Sequence, residues 1–187
     1  MSRIAPLGFA LALVAAAAAA PNSVVAGTPT AESALSPVDY NFVAQANLGA
    51  PFQIDSGRIA EQKATTAAIR DYAHLMVVTH IPVVDALNSV LQREGIAAPP
   101  NTLLQGAYDA MIASLKADKT AVLNRDYVDG QVEYQKGNAA LFKYEIQNGT
   151  DPDLKTFAQH TLPKIEDHLQ RALKLAKSAE IARASSQ

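Results

Sequence analysis

Cysteine is absent from all 187 residues, which removes disulfides, thiolate metal sites and a lipoprotein anchor from consideration. Absent too is any Glu-x-x-His pair, the element that a dinuclear carboxylate centre in a helical bundle takes from two of its helices. No segment sustains the apolar-polar alternation of a half-buried strand, and no internal repeat is visible. No serine stands in a strand-to-helix turn, so nucleophilic catalysis has no support. An excess of one charge is also lacking: 16 Lys+Arg against 18 Asp+Glu gives no electrostatic case for nucleic acid or for an anionic membrane surface.

What is present begins with Arg3 and an apolar, alanine-rich run from Ile4 to Ala20, followed by Pro21 and "SVVAGT". Val24 and Ala26 place small residues three and one before a cut after Ala26, so residues 1–26 read as a secretory signal peptide and the protein as periplasmic or secreted. The run is short for a bilayer span and rich in Ala, and no stable membrane insertion is expected after cleavage. Removing it takes away Arg3 and no acid, leaving 15 basic against 18 acidic groups and a net charge of −3. Residues 27–36 read as a flexible leader, 37–178 as one domain with a single core, and 179–187 as a fraying tail.

Helix signals dominate the domain. Ser36, Pro37 and Asp39 form a capping-box-like start to a helix over 37–63, bent at Pro51. A second helix follows Thr65 and Thr66 and stops at Gly95. Its positions Ile69, Ala73, Met76, His80, Val83, Leu87 and Val90 recur at 4 and 3, one seam with His80 in the middle. "IAAPPNT" is a turn before a short helix over 102–117, and "ADKT" opens a long helix over 119–147. That helix carries an unusually polar seam: Leu123, Tyr127, Gln131, Tyr134, Asn138, Leu141 and Glu145. Asp151 and Pro152 start the last helix, which runs to Ser178 with Leu154, Ala158, Leu162, Ile165, Leu169 and Ala172 facing inward and His168 at the edge of that face. Pro82 and Pro163 interrupt the two histidine-bearing helices and predict bends there. The expected fold is all-α, an up-and-down four-helix bundle with one extra short helix before the third long helix.

Polar residues on the inward stripes mark the candidate site. Asp55 shares a 3 and 4 spacing with Phe52 and Ile59; His80, Gln131, Gln135 and His168 lie on or beside the other seams. Two imidazoles and a carboxylate from three helices are the ingredients of a mononuclear site for a divalent transition metal, with Asp55, His80 and His168 as ligands and the glutamines as neighbours. The competing expectation is a metal-free hydrogen-bond network, since buried polar groups require partners in either case.

Four stretches, "IDSGRIAEQKA", "IRDYAHLMVVTH", "NRDYVDGQVEYQK" and "DPDLKTFAQHTLPKIEDHL", together resemble the bacterial exported ferritin-like family known as domain of unknown function 4142. The resemblance implies a ferritin-like bundle in the cell envelope and no assigned activity. In that family an acid usually stands where Thr79 does, Glu where Asp55 does, and an acid and a His where Gln131 and Gln135 do. These departures move the balance toward the network. The first functional reading is therefore a non-enzymatic exported protein with a binding or envelope-stress role. The second is a metal-binding, redox-active protein using Asp55, His80 and His168.

Overall fold

The computed structural model describes residues 35–184, without the side chains of 120, 121 and 180–184. The expected signal peptide and nearly all of the leader lie outside the described residues, as does the end of the tail. Among the described residues the chain forms five helices and no strand: α1 Pro37–Lys63, α2 Ala67–Glu94, α3 Thr102–Ala117, α4 Thr120–Asn148 and α5 Pro152–Ala184.

The ends follow from local chemistry. Ser36 Oγ accepts from Asp39 N–H, Thr66 Oγ1 from Ile69 N–H and Asn101 Oδ1 from Leu104 N–H, each filling an orphan donor of a first turn. Gly95 closes α2 at φ 66°, left-handed backbone in which a Cβ is unfavourable. The start of α4 departs from expectation, since its N-cap is Lys119 with no side-chain cap. α5 continues past the expected stop at Ser178 to Ala184. Pro51, Pro82 and Pro163 all lie inside continuous helices and on exposed faces, where water can satisfy the carbonyls they leave free.

α1 packs on α2 and α4 on α5, while α1 meets α4 and α2 meets α5. Every one of these pairs is antiparallel. Asp39 at the start of α1 bonds Thr150 just after α4, whereas Thr65 beyond the end of α1 bonds Asn124 near the start of α4. Arg93 at the end of α2 pairs with Asp153 at the start of α5. The four long helices therefore do not simply alternate, as expected from sequence: α2 and α4 run the same way. The reason is α3, which lies against α1, stacks Tyr108 on Phe52 at 4.3 Å, and carries the chain back before α4 begins.

Two apolar clusters fill the interior. One gathers Phe42, Leu87, Leu91, Phe142, Leu154, Phe157 and Ile165, with Phe42 set edge-on to Phe142 at 4.9 Å. The other gathers Ala60, Ile69, Tyr72, Met76, Leu123, Tyr127, Val132 and Ala172. Each large apolar side chain so buried contributes about 1.5–3 kcal/mol. The positions between the clusters decide where the site lies.

Candidate functional site

On every long helix the stretch between the two apolar clusters carries a buried polar residue: Gln53 on α1, His80 on α2, Gln135 on α4 and His168 on α5, each 4% exposed or less. Close approaches fix the register. A Cβ on Gly57 would sit 2.9 Å from Ala73 O and 3.5 Å from Met76 Cβ, so Gly57 is what lets α1 and α2 lie this close. One turn back from Gly57 along α1 is Gln53; one turn on from Met76 along antiparallel α2 is His80. Gly49 likewise faces Tyr134, which brings Gln53 level with Gln131 by the same count.

The hydrogen bonds define which atoms are committed. His80 Nδ1 lies 2.8 Å from Met76 O, which accepts only, so Nδ1 carries the proton and Nε2 the lone pair. The Thr79 hydroxyl donates to Leu75 O at 2.6 Å and therefore accepts from His168 Nε2 at 3.2 Å. That leaves His168 Nδ1 as a bare lone pair, buried and without a partner among the described residues. The Tyr72 hydroxyl shares its proton between Gln131 Oε1 and His168 O, both at 3.3 Å. Gln135 Nε2 donates to Gln131 Oε1 at 3.4 Å and to Met76 Sδ at 3.5 Å. Gln135 Oε1 and both amide atoms of Gln53 have no partner among the described residues.

The layer is electrically neutral. Burial pushes the His80 imidazole down to about 4, against a smaller raising effect of the Met76 carbonyl. Burial does the same for His168, also to about 4, helped by the neighbouring His80, which disfavours a second positive charge. The two rings lie 5.2 Å apart between centroids and are tilted by 37°. Burial raises the Tyr72 phenol, so it stays protonated. His80 also borders a water-sized cavity of ≈ 10 Å³, shared with Asn138, Tyr134 and Thr161 among apolar walls. On the far side, Gln131 lines a surface hollow of ≈ 100 Å³ with Phe52, Ser56, Met111 and Tyr127.

The sequence-derived site is thus brought together in four of its five members. His80, His168, Gln131 and Gln135 share the layer. Asp55 does not: its side chain is 61% exposed and forms an i,i+3 ion pair with Arg58 at 3.7 Å. Its inward assignment is corrected by helix geometry, since Asp55 stands two residues, about 200° of rotation, from the inward-facing Gln53. Phe52 misled the count because it is buried against α3 and not in the centre. With Asp55 outside, the carboxylate of the expected metal triad is missing, and among the described residues no group of three or more His, Cys, Asp and Glu is placed to hold an ion. Gln53, which sequence reasoning missed, takes the α1 position; the spacing Ala46, Ala50, Gln53, Gly57, Ala60 was its signal, carried by side chains too small to stand out.

A second polar centre lies at one end of the molecule. The Asp39 carboxylate accepts from Thr150 N–H at 3.0 Å, Thr150 Oγ1 at 2.6 Å, Asp151 N–H at 3.3 Å and Ser36 Oγ at 2.6 Å, joining the start of α1 to the α4–α5 turn. Burial alone would raise Asp39; these bonds outweigh it and hold the group at about 2. Glu145, fully buried beside it, is driven the other way to about 8, by burial first and then by Asp39.

No curated protein matches the chain. The crystal structure of a DUF305 fragment from Deinococcus radiodurans is similar in fold, with a TM-score of 0.68 over 77% of this chain and 98% of that one at 12% identity. The family model described as Domain of unknown function (DUF4142) matches residues 24–175, and the chain belongs to that family.

Proposed function

We propose that this protein is an exported, ferritin-like four-helix bundle of the cell envelope that acts by binding a small ligand in its central polar layer and does not catalyse a reaction. The observation that carries the reading is the set of unpartnered atoms in one layer: the Gln53 amide, Gln135 Oε1 and His168 Nδ1, on side chains no more than 3% exposed. Each buried polar group left unpaired costs about 1–3 kcal/mol, and a purely structural network gains nothing by keeping several together. Against catalysis stands the position of both imidazoles at about 4, well below the near-neutral range that suits a general acid or base. The apolar stretch over Ile4–Ala20 supports export, and the pairing of two antiparallel hairpins through a connection that reverses direction supports the ferritin-like assignment.

Thermal unfolding across a panel of mono- and divalent metal ions and small neutral molecules tests the binding role. At least one ligand raises Tm in the native chain and fails to do so in the Gln53→Leu, His168→Leu double variant. If none shifts Tm, the reading is wrong, and a double variant less stable than the parent then marks the layer as structural. Export is checked on the protein recovered from the producing cell's envelope fraction, whose first residue is expected to be Gly27.

A further inference from the structure

Each histidine of the layer has one nitrogen occupied and one free. His80 gives its Nδ1 proton to Met76 O, and His168 gives its Nε2 proton to Thr79 Oγ1, whose own proton is committed to Leu75 O. A histidine that ligates a metal almost always donates its other N–H in this manner, which fixes ring orientation and tautomer before the ion arrives. The ring separation agrees. A metal–nitrogen bond of about 2.0 Å puts an ion about 3.1 Å from each ring centre, so two rings sharing one ion at the observed spacing subtend about 115° at it; that spacing is 5.2 Å. The value lies between tetrahedral and trigonal geometry.

Met76 is 0% exposed and one helical turn before His80, and its Sδ is drawn to the layer by Gln135 Nε2 at 3.5 Å. A thioether is a soft donor that discriminates among metals. Charge discriminates further. No carboxylate joins the layer, so a divalent ion would bring two uncompensated charges into the core, where a monovalent ion brings one. Iron and manganese in such a position are normally neutralised by carboxylates. Gln131, which bonds Tyr72 and Gln135 in the layer, also lines the surface hollow of ≈ 100 Å³.

Resting on the binding reading above, we propose that the layer is a Cu(I) site, with His80 Nε2, His168 Nδ1 and Met76 Sδ as ligands to a single ion.

The test uses the full chain under anaerobic conditions, with Cu(I) supplied alone and a chromogenic Cu(I) chelator as competitor. One equivalent is withheld from the chelator. His80→Gln and His168→Gln, which keep a polar group and circular dichroism like the parent, weaken binding at least about a hundredfold; Met76→Leu weakens it about tenfold. His160→Gln, altering an exposed histidine, leaves binding unchanged. X-ray absorption of the loaded protein shows two nitrogen donors and one sulfur. Cu(I) held equally by the His80 and His168 variants overturns the site. Retention of Zn(II) or Mn(II) in place of Cu(I) overturns the assignment of the ion and leaves the binding reading standing, whereas no ligand of any kind removes both.

Discussion

The two polar centres of this molecule answer one problem in opposite ways. At the end, Asp39 is a buried charge saturated with donors from the α4–α5 turn and its own cap. In the middle, the layer around His80 and His168 carries no charge and leaves several lone pairs and one amide unpartnered among the described residues. The saturated Asp39 charge joins elements and serves stability; the unspent neutral donors and acceptors of the layer are what the proposed ligand role rests on. The difference also sets opposite responses to pH.

The largest expected effect tests the middle. Both imidazoles are held below their usual range, so their contribution is fully present above about pH 6.5 and is lost as pH falls through 4. Urea unfolding at pH 7 and pH 4 is expected to differ by roughly 3 kcal/mol for each imidazole; a flat profile would mean that the rings are solvated. Next comes the end. Asp39→Ala strands the Thr150 and Asp151 donors and is expected to cost about 3 kcal/mol in the same assay, whereas Asp39→Asn, which keeps an acceptor, costs less.

Glu145 reverses the pH argument. Its folded-state pKa lies above its unfolded one, so its contribution is intact below about 4.5 and declines as pH rises toward 8. Glu145→Gln should therefore gain about 1–3 kcal/mol at pH 9 and nothing at pH 4; equal effects at both would break the contrast between the centres. His80→Leu at pH 7 leaves no charge stranded, now that Asp55 is known to lie outside, and should change stability by less than about 1 kcal/mol while removing part of the acid lability. Asp55→Ala, at an exposed ion pair, should stay within about 0.5 kcal/mol.

Much of the helical framework was legible because large side chains mark it. The α2 seam from Ile69 to Val90 is buried except for half-buried Val83, and the cap signals at Ser36 and Thr66 hold. Legibility failed where packing partners are remote or small. The inward stripe of α1 is built from alanines, a glycine and Gln53, so Phe52 and Ile59 drew the count toward Asp55. The reversal made by α3 and the meeting of Asp39 with Glu145 depend on tertiary contacts that no local spacing encodes. His168, read as an edge residue, is 3% exposed because Thr161, Ile165 and Ala172 on the same face draw it inward.

The central claim is that His80 and His168 are neutral, each with one proton committed and one lone pair turned over to the layer. Nitrogen NMR of the imidazoles during a pH titration tests it most directly. The account predicts a proton on His80 Nδ1 and on His168 Nε2 at pH 7, with both rings titrating near 4. Opposite tautomers, or titration of either ring near 6.5, would contradict it.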